Sequence, residues 1–478
     1  MREPFEIGLT FDDVLLIPRR SGVSTRRQAA TRTRLCRGID LAIPIVSASM
    51  DTVTEAQMAS AIAREGGIGI IHRFLPIDEH VAQVRRVKRA ESVVIDTPYT
   101  VGPEATVGHA AAFMEEHGSA GILVIDRHRR LLGIVTARDV LFEAHHDRPI
   151  TSVMTPKERL ITAPAGTPVE EAKQILHRHR IEKLPLVDAE GRLVGLVTSR
   201  DIQSRLKYPD ATKDGRGRLR VGAAIGVRGD YLERAEALVA EEVDVLVIDI
   251  AHGHSDLSLE TVEAVRARCP DIPLIAGNVA TPEGTRDLIA CGVDGVKVGV
   301  GPGSTCTTRV VTGAGVPQLT AILECADAAA GADVPIIADG GIRGSGDLVK
   351  ALAAGAHTAM LGNLLAGTEE SPGALVSRGG RQYKVYRGMA SLWTSAERRD
   401  MPQDDELLSE IVPEGIEAMV PSRGKVAAVL GQLIGGLRSG MSYCGATTLA
   451  DLRANARFIR VTEAGMRESM PHDVDPLS

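Results

Sequence analysis

Eight short apolar runs recur along the chain from residue 43, each closing on glycines or polar residues: "IPIVSASM", "GGIGIIH", "GAAIGV", "VDVLVIDI", "PLIAGNV", "GVKVGV", "PIIADGG" and "AHTAMLGN". Between them lie segments of helical periodicity such as "TPEGTRDLIACG" and "SGDLVKALAAG". Continuously apolar strands separated by amphipathic helices predict parallel strands covered on both faces, because a strand with one wet face would alternate instead. Eight such units predict an α/β fold of the (β/α)8 barrel type. An open doubly wound sheet is the alternative, but the glycine fingerprint that would follow its first strand is missing. With 478 residues, 44% of them hydrophobic, the chain is long enough for this core and a further domain.

The rhythm breaks between the second and third runs, over about residues 93–208, where the sequence repeats itself. "LVIDRHRRLLGIVTARDV" at 123–140 returns as "PLVDAEGRLVGLVTSRDI" at 185–202. Each copy is too short to bury a core alone, so the two are expected to pair, as about 93–150 and 151–208. The barrel then takes residues 1–92 and 209–478. The repeated unit resembles a tandem pair of CBS modules. That resemblance implies an ATP or GTP site at Thr136, Asp139, Thr198 and Asp201; the plainer reading is that each aspartate only caps the helix after it.

A formal net charge of -7 offers no basic field for nucleic acid or an acidic membrane. The start "MREPFEIGLT" lacks a basic segment followed by an apolar run, and no stretch approaches ~18 consecutive apolar residues. A cytoplasmic protein is the default expectation. Six scattered cysteines without metal-ligand spacing read as reduced thiols. "HGH" at 252–254 and "HRHR" at 177–180 lack converging ligands, and "RRVKRAE" at 85–91 reads as a solvated helix face.

One cysteine stands apart. In "GVGPGSTCTTR", residues 299–309, Cys306 follows a glycine-rich turn at the end of a predicted barrel strand, where catalytic groups of such barrels sit. Glycines let backbone N–H groups approach a ligand, and Thr307, Thr308 and Arg309 add two hydroxyls and a cation that favour a thiolate. A nucleophile is therefore preferred over a packing thiol. The turns "IADGGI" and "MLGNLLAGTEESPG" fall after the seventh and eighth strands, a recurrent place for phosphate in this fold. Ser304, Gly341, Gly362 and Asn363 are candidate phosphate holders, and Asp339, an acceptor when ionised, suits a ribose diol.

Together with these, "YRGM", "VPEGIE", "GGLRSGMSYCGA" and "ESMPHDV" resemble the IMP dehydrogenase and GMP reductase family over nearly the whole chain. The resemblance implies a barrel assembled as a homotetramer or octamer, and a purine mononucleotide substrate. It also implies a cysteine thioimidate at C2 of the purine (E-XMP*) and hydride exchange with NADPH/NADP or NAD. On this resemblance Cys306 is the nucleophile, with Thr308 and Glu417 relaying protons. Tyr386 joins the phosphate site, and Met50, Asn278, Gly388, Met389 and Glu417 line the base pocket. Asp249, Ile250 and Ala251, with Gly299 and Gly301, face the cofactor. Carbonyls of Gly301, Gly303 and Cys306 would hold K+, completed by Glu468, Ser469 and Met470 of a neighbouring subunit. Histidine is common at the last of these positions, but a carbonyl ligand tolerates methionine.

The direction of the reaction turns on water. A dehydrogenase hydrolyses the thioimidate and needs a base, which the family supplies as an Arg-Tyr pair on a flap. The matching stretch here, "SLWTSAERRDMPQDDELLSEIVPEG", contains no tyrosine; alignment from Val412 puts Asp400 and Met401, or Arg399 and Asp400, at the pair. An arginine without its partner stays protonated and is a poor base. A reductase needs no such water, and Ile250–Ala251 resembles its aliphatic-alanine pair. The sequence thus favours GMP reductase, with IMP dehydrogenase as the alternative and a non-catalytic CBS nucleotide sensor as the reading from another class.

Overall fold

The computed structural model describes residues 5–90, 95, 98–141, 143–200, 202, 207–391 and 412–471. The chain divides into two compact units: Met1–Ala90 with Asp210–Asp214 and Leu219–Ser478, and Glu91–Pro209 with Gly215–Arg218.

The first unit is a closed barrel of eight parallel strands: β1 (Ile45–Ser47), β2 (Ile68–Ile71), β3 (Gly222–Ile225), β4 (Val245–Asp249), β5 (Leu274–Val279), β6 (Gly295–Val298), β7 (Ile336–Asp339) and β8 (Thr358–Leu361). Each lies within one of the eight apolar runs, so the (β/α)8 expectation holds. The ring closes where β8 pairs with β1, Ala359 opposite Ile45 and Leu361 opposite Ser47. Nearly every strand residue is buried because helices cover the outside and side chains fill the inside. Helices Pro282–Ala290 and Gln318–Ala329 are typical of the cover. Thr281 accepts from the Gly284 N–H to start the first of these, and Pro282 occupies an early position where its missing N–H costs nothing.

Residues 210–214 return to the barrel through named bonds. The Lys88 ammonium lies 3.2 Å from Asp214 and 2.6 Å from Asp244, and Thr212 N–H donates to Ala63 C=O. A three-stranded antiparallel sheet, Leu375–Arg378, Arg381–Arg387 and Glu417–Pro421, extends from the region after β8. Buried Lys384 anchors it by donating to the carbonyls of Thr368 and Ser371.

The second unit has the repeat the sequence shows. Gly121–Ile125 pairs with Leu131–Thr136, and Lys183–Val187 pairs with Leu193–Thr198. The registers are equivalent, Gly121 opposite Thr136 and Lys183 opposite Thr198, each with an irregularity at the end of the first strand. Leu123, Leu131, Ile134, Leu193 and Leu196 form a buried cluster shared by both copies. The Asp139 carboxylate accepts from the Thr136 hydroxyl at 2.7 Å and the Thr136 N–H at 2.8 Å, a local arrangement at the start of helix Ala137–Leu141. Asp201 lies outside the described residues.

Two histidines, one buried and one half-buried, tie the barrel to pH. His80 lies fully buried 3.2 Å from the Arg234 guanidinium, and burial, followed by Arg234 and His72, pushes its pKa down to about 3. Burial likewise pushes His357 down to about 4. Both are therefore neutral in the fold, whereas the unfolded chain takes a proton on each below its ordinary value of about 6.5. Their stabilisation is complete above that pH and is lost as pH falls toward 4, at up to about 1.4 kcal/mol per pH unit for each group. Thermal melts between pH 7 and 5 should show this decline, and His80→Gln should make it shallower; equal slopes in both proteins would contradict the assignment.

Candidate active site

Parallel closure sends the C-terminal ends of all eight strands to one rim, and the loops there enclose a cavity of about 710 Å³. The loop after β6 carries the cysteine. It folds tightly against β7: a Cβ on Gly299 would stand 2.1 Å from the Asp339 carbonyl oxygen, and Gly301 has φ +78°. Arg309 crosses back under this loop, donating to the carbonyls of Val300 and Val316. The cation expected beside the thiol is thus also the clasp of the loop.

Cys306 N–H donates to Gly303 C=O at 3.1 Å, and its Sγ donates to Thr308 Oγ1 at 3.2 Å. Thr308 Oγ1 in turn donates to Glu414 Oε2 at 2.7 Å. The hydrogen-bonded chain therefore ends on Glu414 and not on the expected Glu417. "VPEGIE" offers two glutamates three residues apart, and the backbone decides between them. Thr307 N–H donates to Glu414 C=O at 2.8 Å, Cys306 bridges Gly415, and Ile416 N–H donates to Thr305 C=O, which draws Glu414 along the cysteine loop. Glu417 starts the outer strand opposite Arg387, is exposed, and lines a separate surface groove with Arg378 and Tyr383. It belongs neither to the relay nor to the base pocket.

The expected phosphate end is assembled from the three loops after β6, β7 and β8 and from the strand Arg381–Arg387. Ser304, Gly341, Gly362 and Asn363 all line the cavity, as does Tyr386, whose phenol donates to Met50 Sδ at 3.7 Å. Burial raises the pKa of that phenol, keeping it a neutral donor. Asn278, Gly388 and Met389 line the same cavity, as do Asp249, Ile250 and Ala251.

The floor holds a residue the sequence reading missed. Lys297, third in β6 and 2% exposed, donates to Asp249 Oδ1 at 2.7 Å, to Asp339 Oδ2 at 2.8 Å and to Asn278 Oδ1. Asp249 Oδ2 also accepts from Ser49 at 2.8 Å, and Asn278 Nδ2 donates to Asp339 Oδ2 at 3.0 Å. Burial alone would raise the Asp249 pKa, but the Lys297 ammonium and its hydrogen bonds outweigh burial and hold it low. The two carboxylates hold the Lys297 pKa up by the same attraction, against the opposite pull of burial.

Gly301, Gly303 and Cys306 lie together in the cysteine loop, whereas Glu468, Ser469 and Met470 lie exposed at and just past the end of helix Glu463–Glu468 and do not line the cavity. Thr136, Asp139 and Thr198 belong to the second unit. The expected flap positions, Arg399, Asp400 and Met401, fall outside the described residues. Among the described residues no group of three or more His, Cys, Asp or Glu converges as a metal site, and no helix is long and apolar enough to cross a membrane.

A family model described as the IMP dehydrogenase / GMP reductase domain matches residues 8–472. The chain belongs to this family. It is similar to an inosine-5'-monophosphate dehydrogenase of Aquifex aeolicus, 56% identical with 98% of this chain and 96% of the relative covered. It is also similar to a GMP reductase of Leishmania major, 47% identical with 98% of each covered. A GMP reductase from Trypanosoma brucei, solved with guanosine 5'-monophosphate, superposes with a TM-score of 0.92 at 45% identity, covering 98% of this chain and 99% of that one. The same enzyme solved with guanosine 5'-triphosphate gives 0.82 at 42%, covering 96% and 98%. Family membership makes the protein an NAD(P)-dependent oxidoreductase, and the half-buried thiol, hydroxyl and carboxylate of Cys306, Thr308 and Glu414 form one hydrogen-bonded chain on its cavity wall. Glu414→Gln should lower kcat by about 10²- to 10⁴-fold, the usual worth of a positioned proton carrier. Glu417→Gln should leave kcat unchanged; the reverse ranking in steady-state assays would restore Glu417 to the relay.

Proposed function

We propose that the protein is a GMP reductase, converting GMP and NADPH to IMP, ammonia and NADP. The observation that carries this reading is the absence of any tyrosine from residues 391–415, the stretch that would have to supply the water-activating base of a dehydrogenase. The relay, by contrast, contains the groups a reductase requires.

Cys306 passes its proton through Thr308 toward Glu414, and the thiolate adds to C2 of the purine. The proton held at Glu414 returns through Thr308 to the departing amino group, which leaves as ammonia, and the sulfur remains bound to C2 as a thioimidate. When bound, the reduced nicotinamide supplies a hydride to C2. Cys306 then leaves as the thiolate, and a proton taken up from solvent at Glu414 reaches it through the same hydroxyl. Asp339 accepts from the ribose, and Ser304, Gly341, Gly362, Asn363 and Tyr386 hold the phosphate.

The residues at the end of β4, which line the same cavity as Cys306, fit a nicotinamide. The Asp249 carboxylate can accept from a carboxamide, and Ile250 and Ala251 give an apolar edge without a hydroxyl. The carbonyls of Gly301, Gly303 and Cys306 form a neutral oxygen set suited to K+, which would stiffen the cysteine loop. Glu468, Ser469 and Met470 would complete that set from a neighbouring subunit of a homotetramer or octamer in the cytoplasm. The paired repeats are read as CBS modules binding ATP or GTP near Thr136 and Thr198. A T. brucei GMP reductase that aligns with 96% of this chain is solved with guanosine 5'-triphosphate, so a similar protein takes a nucleotide of that class.

IMP dehydrogenase is the second reading, favoured by the name of the 56% identical Aquifex relative. The inserted unit does not favour it, since two GMP reductases align with 98% of this chain. Purified protein should consume NADPH in the presence of GMP, and Cys306→Ala should abolish that turnover. XMP formation from IMP and NAD, without GMP-dependent loss of NADPH absorbance, would replace this function with the second reading.

A further inference from the structure

Lys297 stands in the cavity floor where its side chain reaches both expected ligand sites. It projects inward from β6, bonds forward to Asp339 at the end of β7, and reaches back past β5 to Asp249 at the end of β4. Its third donor goes to Asn278 Oδ1, and Asn278 Nδ2 donates to Asp339 Oδ2 and, at 2.7 Å, to the carbonyl of Gly299 in the cysteine loop. Three charged groups and an amide therefore form one connected cluster, two of whose members face the cavity as ligand acceptors. The approach is tight: a Cβ on Gly277 would stand 2.7 Å from Lys297 Cβ, so β5 gives way for the lysine stem.

We propose that Lys297 is a positioning residue through which the nucleotide and cofactor sites strengthen each other, its ammonium holding the Asp339 and Asp249 carboxylates in one shared arrangement. This rests on the reading of Asp339 as the ribose acceptor and Asp249 as a cofactor acceptor. Asp339 commits Oδ2 to Lys297 and Asn278, which leaves Oδ1 as the acceptor for a ribose hydroxyl. Asp249 is held from both sides, by Lys297 on Oδ1 and Ser49 on Oδ2. A ligand donating to either carboxylate fixes it and, through the ammonium, fixes the other. The second ligand then meets acceptors already ordered and loses less freedom on binding, which makes the coupling positive. A lysine kept only for stability would behave differently: its loss would leave two carboxylates unpaired and destabilise the fold, but would not change how one bound ligand alters the affinity for the other.

The test is calorimetric and uses the full-length chain carrying Cys306→Ala, so that no adduct forms. GMP is titrated with and without saturating NADP, and NADP with and without saturating GMP. With Lys297 intact, each ligand should tighten the other by about fivefold or more. Adding Lys297→Met should weaken GMP binding about tenfold, the worth of one charged hydrogen bond, and reduce the coupling to about twofold or less. Lys297→Arg, which keeps the charge, should retain most of it. Independent binding with Lys297 intact overturns the proposal, whether or not Lys297→Met folds. So does undiminished coupling in a folded Lys297→Met protein. Failure of the Lys297-intact protein to bind GMP at all overturns the nucleotide reading itself, and this proposal with it.

Discussion

Closure of the barrel at β8 and β1 is the constraint from which the site follows. Ala359, Met360 and Leu361 pair with Ile45, Val46 and Ser47 across more than three hundred residues of sequence. Because every pairing in the ring is parallel, all strand ends with catalytic potential emerge on the same side. The turn after β1 thereby brings Met50 to Tyr386, and the ends of β4 to β7 converge on one axis. None of these contacts is local, and no single βα unit holds more than a fragment of the site.

What that convergence creates would be untenable without Lys297. Asp249 and Asp339 are two carboxylates at the closed end of a largely apolar cavity, where unpaired charge is costly to desolvate. One buried ammonium offsets both and satisfies an amide as well. The same device recurs at lower stakes where Lys384 caps the carbonyls behind the phosphate end and Arg309 clasps Val300 and Val316. In each case a long cationic side chain replaces backbone partners that an irregular loop cannot find in regular structure.

The fold was legible because parallel strands buried on both faces leave continuous apolar runs, a signal that survives without knowledge of partners. The duplication was legible for the same reason: "LLGIVT" and "LVGLVT" write the same strand twice. Lys297 was hidden by that logic, since a lone lysine inside "GVKVGV" carries no mark of the two carboxylates 48 and 42 residues away. The choice between Glu414 and Glu417 was illegible too. Both stand in one motif, and what separates them is backbone pairing of residues 414–416 with the cysteine loop, a contact across about a hundred residues. For Asp139 the plain reading describes the bonds observed, a carboxylate engaged by its own turn, while its partner Asp201 lies outside the described residues.

The relay also explains how one family can run chemistry in two directions on one frame. A thiol, a hydroxyl and a carboxylate in series move a proton to or from whatever group leaves C2, and nothing in that series prefers ammonia to a proton from water. Preference must come from a group that activates water in one enzyme and is missing in the other. A neutral phenol beside an arginine can take that part because deprotonation leaves an anion held by the guanidinium. Aspartate or methionine beside arginine cannot do so equally well, because a carboxylate ion-paired to arginine is a weak base and a thioether is none. On the proposed function, a chain that keeps the cysteine, threonine and glutamate but has no tyrosine between Ser391 and Gly415 would retain the means to expel ammonia and lack the means to hydrolyse the adduct. The outcome of the Cys306 adduct is thus set less by the loop that forms it than by what water finds beside it.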